Sequence, residues 1–172
     1  MQQAIKLSLQ KLFFNKALVL GDSHANIYFS EIKSKKIENF PDFKIKTVEG
    51  ATAQGLLNPN SSTNALEIFK RTLKIYGRLT SKCIILLGEV DCGFVIWYRM
   101  KKYQDTIENQ LERSLSNYFS FLDNYVSKYY EQRNIIICGV VPPTIKDNTE
   151  KRYLVGARSE VDASIKERTS LT

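Results

Sequence analysis

The sequence predicts an α/β fold, a parallel sheet with helices packed on both faces. Two observations carry this. Four short apolar runs stand along the chain, and three of them are near-continuous in Val, Ile and Leu, as strands covered on both faces are. Segments of helical period separate the runs, and strand–helix alternation gives parallel strands joined by crossovers. At 172 residues the chain suits a single domain over 1–172, large enough for a real core.

The first strand is "ALVLG" (17–21), followed by a short helix over "HANIYFSEIKS". The second, "FKIKTV" (43–48), alternates more and is expected at a sheet edge. "STNALEIFKRTLKIYGRL" then reads as a helix with Ser62 or Thr63 as N-cap and Leu66, Phe69, Leu73 and Tyr76 as its inner stripe. The third strand is "CIILLG" (83–88), and "GFVIWYRMKKY" after it suits a helical turn or two. The longest helix is expected from about Asp105 to Gln132, with Ile107, Leu111, Leu115, Leu122, Val126 and Tyr129 inward. The fourth strand is "NIIICGVV" (134–141). An irregular stretch to Glu160 follows, of a length usually functional or mobile. A last helix opens at "SEVDASIKERTSLT", with Ser159 as N-cap and Asp162 three residues on. This helix is expected to be still running at the last residue.

Composition excludes several classes. Hydrophobic residues make up 43% and charged residues 25%, an ordinary balance. No run approaches the ~18–20 apolar residues of a membrane span. "MQQAIKLSLQKLFFNK" lacks the apolar core and cleavage site of a signal peptide, so a cytoplasmic location is expected. The net charge of +7 is scattered over "KSKK" (33–36), "RMKK" (99–102) and "KR" (151–152). Scattered charge argues against a nucleic-acid partner and is compatible with an anionic substrate or polysaccharide. Cys83, Cys92 and Cys138 have neither disulfide nor zinc-site spacing, and no metal or cofactor is expected. Cys83 and Cys138 read as buried hydrophobes, while Cys92 at a strand end is a candidate reactive thiol. The chain has no G-x-G-x-x-G or G-K-[ST] loop for a nucleotide.

Ligands of such folds bind at the carboxyl ends of the strands. Chemistry is therefore expected in 21–25, 49–58, 88–93 and 141–158. In Gly21-Asp22-Ser23-His24 the glycine allows a sharp turn, and Ser23 falls at a helix N-terminus. A serine there can attack a carbonyl and have its oxyanion held by main-chain donors. Equally, Asp22 or Ser23 could serve only as the helix cap. Only about twenty residues precede Ser23, too few for the several strands ahead of an α/β-hydrolase nucleophile elbow. Gly50 and Gly55 bracket a turn of small residues where backbone can approach a ligand.

Taken in order, "GDSH", "VEGATAQGL", "LLGEVDCG" and "CGVVPPT" each follow a strand, and together they resemble the GDSL/SGNH hydrolase family over residues 17–145. The resemblance implies a flavodoxin-like three-layer α/β/α sandwich and hydrolysis or transfer of acyl esters. It makes Ser23 the nucleophile, with its own N–H and that of Gly50 as oxyanion donors. Asp22, His24, Glu89 and Asp91 are the other candidate site residues. Two departures stand out. Where the family has an oxyanion-binding asparagine this chain has Val90, and the loss of one such donor typically costs about 10²–10³ in rate. Glu89 could bind a substrate hydroxyl or hold Arg99, and Asp91 could cap the next helix. The second departure concerns the base. The family's histidine lies in a late D-x-x-H block after a fifth strand, and the sole histidine here is His24. Its side chain should diverge from Ser23 and bond locally. The expectation is a C-terminally truncated copy with four strands, whose fourth strand becomes an edge exposing "IIIC" and open to homodimer pairing.

The substrate expected on this resemblance is a small acyl ester, preferably on a carbohydrate, with "VIWYR" (95–99) offering an aromatic and a cation. The alternative is a non-catalytic binding domain on the same fold.

Overall fold

The first apolar run forms β1 (Lys16–Gly21), one of two inner strands of the sheet. A computed structural model describes residues 16–35, 42–142 and 163–172. β1 is flanked by β2 (Asp42–Thr47) on one side and β3 (Lys82–Leu86) on the other, with β4 (Ile135–Ile137) beyond β3. All three pairings are parallel, and Gly21 stands opposite both Thr47 and Leu86. The chain steps from β1 to one side and then to the other, so the order 2-1-3-4 reverses between β1 and β3. A crevice for ligands opens at such a reversal.

The two-residue period of a strand divides the core. Ala17 and Val19 face a cluster containing Phe43, with Ala25 and Phe29 of α1 (Ser23–Ser34). Phe29 and Phe43 meet edge to face at 5.1 Å. Leu18 and Leu20 face the opposite cluster. There Phe69 and Leu73 of α2 (Ala65–Tyr76) meet Tyr118 and Phe121 of α4 (Ile107–Phe121). The result is an α/β/α sandwich of the flavodoxin-like kind. Between β3 and α4 runs α3 (Ile96–Tyr103), entered through a π-helical turn at Asp91–Val95. No helix among the described residues is long and apolar enough to cross a membrane.

Several local expectations are corrected. α2 is capped by Asn64, not Ser62 or Thr63. Asn64 adopts φ 50°, a left-handed conformation that asparagine tolerates, while Thr63 pairs its hydroxyl with Ser61 at 3.0 Å. The long helix is regular only to Phe121 and continues as a π-helical turn, Leu122–Val126. Its inner face is Gln110, Ser114, Tyr118 and Phe121, and Leu115 is 48% exposed. β4 is three residues long and not covered on both faces: Ile136 and Ile137 are 40% and 48% exposed. Among the described residues it is an edge strand, as is β2. The expected last helix is α5 (Ile165–Thr169), capped by Ser164 in a capping box with Glu167. It ends at Ser170 rather than running through the last residue. The proposed cap Ser159, with Asp162, lies outside the described residues, as do 1–15, 36–41 and most of the segment after β4.

Gly21 shows how tightly the strand ends meet. A Cβ placed there would stand 2.5 Å from the Leu86 carbonyl oxygen and 2.6 Å from the Ala25 Cβ. Gly139, by contrast, has nothing within 4 Å. Gly21→Ala is expected to destabilise the fold by about 2–3 kcal/mol or more. Gly139→Ala should stay within about 0.5 kcal/mol of wild type, both read from urea midpoints.

Candidate functional site

The turn from β1 into α1 is set by Asp22, which is fully buried. Its N–H donates to the Leu86 carbonyl at 3.2 Å, which locks β1 to β3. On the other flank the Val48 N–H donates to the Gly21 carbonyl at 3.0 Å, drawing in the loop after β2. Asp22 is the N-cap, and its Oδ1 accepts the His24 N–H at 2.9 Å. Burial raises the Asp22 carboxyl above the usual carboxylate range, and its bonds to His24 offset this in part. The capping role is thus taken by Asp22. Ser23, the first residue of α1, is exposed, and its hydroxyl makes no hydrogen bond among the described residues.

His24 turns away from Ser23. Its Nδ1 lies 3.3 Å from Asp22 Oδ1 and 3.9 Å from Glu89 Oε2. The imidazole therefore sits between two buried carboxylates, as local bonding predicts. Glu89 does not hold Arg99, whose Nε donates instead to Gln110 Oε1 at 3.2 Å. Among the described residues no group of three or more His, Cys, Asp or Glu is arranged to hold a metal ion.

Asp91 is a staple rather than a helix cap. Its carboxylate accepts the Ala53 N–H at 2.7 Å and the Gln54 N–H at 3.0 Å. Ser114 Oγ donates to it at 3.4 Å. The loop after β2 is thereby fixed to the turn after β3. Burial drives the Asp91 carboxyl up to about 6, against these hydrogen bonds, with a further push from the nearby Asp22 charge. Next to it Cys92 is buried, its thiol pushed up to about 12 and donating to the Leu171 carbonyl at 3.2 Å. Such a thiol is not a nucleophile at neutral pH. Cys83 is a buried hydrophobe as expected, whereas Cys138 is only half-buried.

Gly50 has φ 68°, a conformation that favours glycine, and lines a cleft of about 700 Å³. Thr52, Arg99, Tyr103, Arg113 and Asn117 share its wall. Val90 is buried in the turn leading to α3 and offers no side-chain donor. Trp97 of "VIWYR" is core, its Nε1 donating to the Cys92 carbonyl at 2.7 Å, so only Val95 and Arg99 of that run reach the cleft.

The structure thus brings Asp22, His24 and Glu89 together and binds Asp91 to the second loop. It places Gly50 on the cleft and Ser23 on the surface at the start of α1. The expected contribution of 143–158 lies outside the described residues. Sequence reasoning missed the polar face of α4. Gln54 Nε2 donates to Gln110 Oε1 at 3.1 Å and to Ser114 Oγ at 3.3 Å, and Asn117 Nδ2 donates to the Gln54 carbonyl at 2.8 Å. The signal was present: Gln110, Ser114 and Asn117 recur at four and then three residues, one face of a helix.

Fold and site together define a parallel α/β protein with its polar residues gathered at the carboxyl end of the sheet. Comparison with known protein families, with curated proteins and with solved structures finds no match.

The buried acid makes stability depend on pH. An unfolded aspartate titrates near ~3.9, well below Asp91 in the fold. Between the two values the folded chain keeps a proton that the unfolded chain has released, so stability rises as pH falls from about 6 to about 4. Relative to Asp91→Asn, which cannot titrate, wild type should gain up to about 3 kcal/mol between pH 7 and 4 in urea unfolding. A pH-independent difference would contradict a titrating Asp91.

Proposed function

We propose that the protein is a serine esterase or acyltransferase of the SGNH type, acting on a small acyl ester with Ser23 as nucleophile. One observation carries the reading. Ser23 stands exposed at the first position of α1, beside the reversal of strand order, and Asp22 has relieved it of the capping role. In the reaction Ser23 Oγ bonds to the acyl carbon, the carbonyl electrons move onto oxygen, and their return breaks the ester bond as the Ser23 proton passes, directly or through water, to the departing oxygen, which leaves as the alcohol. Water, or an acceptor alcohol, then takes the acyl group from the serine. The main-chain N–H groups of Ser23 and Gly50 make no hydrogen bond among the described residues, and they are the proposed oxyanion donors. The dipole of α1 favours negative charge at the same place.

Among the described residues no imidazole reaches the Ser23 hydroxyl. A serine site without its base keeps roughly 10³–10⁴-fold catalysis over water from its oxyanion hole and binding. A second reading is therefore a non-catalytic binding domain on the same fold, favoured by Val90 and by the engagement of His24 with Asp22. A cytoplasmic location and homodimer pairing through the open edge of β4 belong to either reading.

p-Nitrophenyl acetate separates the two. Under the esterase reading, wild-type turnover exceeds that of Ser23→Ala at least about tenfold, and a fluorophosphonate labels Ser23 by mass. Val90→Asn, which supplies a side-chain donor, should raise turnover by up to about 10²-fold. Equal turnover by wild type and Ser23→Ala rejects Ser23 as a nucleophile and leaves the binding reading.

A further inference from the structure

The cleft beside Gly50 carries chemistry that ester hydrolysis alone does not need. It lies between the loop after β2 and the α3–α4 pair, with about 700 Å³ of space, inside the ~300–1,000 Å³ range of small-molecule sites. Two of its wall residues are charged, and both are arginines, Arg99 and Arg113. Among the described residues no acidic side chain shares the wall. Asp105 stands behind it, 3.9 Å from an Arg113 terminal nitrogen, and is itself held low by Asn109, the Thr106 N–H and Gln110.

Arg99 is held in place. Its Nε is bonded to Gln110, and its guanidinium lies 5.0 Å from the centre of the Tyr103 ring. Its terminal nitrogens make no hydrogen bond among the described residues. A guanidinium fork fixed in this way matches a carboxylate with two parallel N–H donors. The rest of the wall is rich in hydroxyls and amides, among them Thr52 and Asn117, and Tyr103 adds a ring that is 55% exposed. Closely spaced alcohols and a flat apolar face are what a sugar ring presents to such groups.

We infer that this cleft binds an acidic saccharide, a uronate-bearing glycan whose carboxylate is received by Arg99 and Arg113. The inference rests on the esterase reading in making that glycan the alcohol part of the ester. Gly50, on the cleft wall, is the proposed oxyanion donor, and Val48 two residues before it is bonded to Gly21 at the root of the Ser23 turn. The net charge of +7 would assist encounter with a polyanion.

Calorimetric titration at low salt tests it with three probes: trigalacturonate, neutral maltotriose and inorganic phosphate. Wild type should bind trigalacturonate at least about tenfold tighter than maltotriose, with affinity falling as sodium chloride is added. Arg99→Gln and Arg113→Gln should each weaken that binding about tenfold or more. Arg113 is 54% exposed, so its variant keeps the test valid should Arg99→Gln fail to fold. Equal binding of the two trimers, no binding of trigalacturonate, or an unchanged Arg113→Gln overturns the proposal. Phosphate bound as tightly as trigalacturonate overturns its saccharide part. Ser23→Ala should bind trigalacturonate as wild type does. Intact binding without Ser23-dependent hydrolysis would sink the esterase reading alone, and hydrolysis without uronate binding would sink this inference alone.

Discussion

The polar end of the sheet depends on one buried carboxylate. A charge without water costs several kcal/mol unless hydrogen bonds replace its hydration. Asp91 has such bonds from two successive main-chain N–H groups, Ala53 and Gln54, and from Ser114. Bonds of this charged kind contribute roughly 1.5–3 kcal/mol each. Their placement matters as much as their strength. The acid follows β3 and the donors follow β2, so the pair spans β1, which lies between those strands. The same loop is gripped from its other side, where α4 receives the Gln54 side chain and returns the Asn117 amide to its carbonyl. Gly50 and Thr52, just ahead of Ala53, inherit their positions from this anchor.

The anchor also divides the strand ends by charge. Asp22, Glu89 and Asp91 are all buried at the floor, next to the reversal between β1 and β3. Burial presses Asp22 and Asp91 toward the neutral form, and the Asp22 charge adds to this at Asp91. His24 sets a cation-forming imidazole against Asp22 and Glu89. An oxyanion would be repelled by that floor, so main-chain donors on the rim are the groups suited to one. The arginines are carried by α3 and α4 instead, on the far side of the second loop. Separate acidic and basic regions let one small domain hold a polar floor and an anion-attracting cleft without the two neutralising each other.

The sheet was legible because burial on both faces leaves almost no choice of residue, and "LVL" and "IIL" announce it directly. The strand-end glycines were legible for a similar reason, since Gly21 has no room for a side chain. Helix faces were less so. In α4 the leucines at 111 and 115 suggest one inner stripe, but the helix is turned so that Gln110 and Ser114 face inward and Leu115 outward. The hydrophobic period misleads there because the structure satisfies a buried polar network, which no apolar count detects. β4 failed differently. "NIIIC" has the composition of a central strand, but only β3 pairs with it among the described residues, so its isoleucines are partly exposed. The candidate site was half visible: residue types after each strand pointed to the right place, while the main-chain partners of Asp91 came from a loop more than thirty residues away.

Ser23 and His24 show why neighbours in sequence need not act together. Successive helical residues point about 100° apart. Once Asp22 turns inward to cap α1, the next residue is swung to solvent and the one after returns toward the floor. The imidazole then meets Asp22 and Glu89, and the hydroxyl faces water. This sets a limit on chemistry through the proton of Ser23. Without an imidazole at hand, that proton leaves to water or to the departing oxygen. Expulsion of p-nitrophenolate needs little assistance, since that anion is already stable. Expulsion of a sugar alkoxide needs a proton delivered as the bond breaks, the task a general acid performs. The same serine opens an activated ester without such help, whereas a sugar ester requires that proton transfer. A proton carrier beside Ser23 Oγ is therefore what the proposed action on a glycan ester requires.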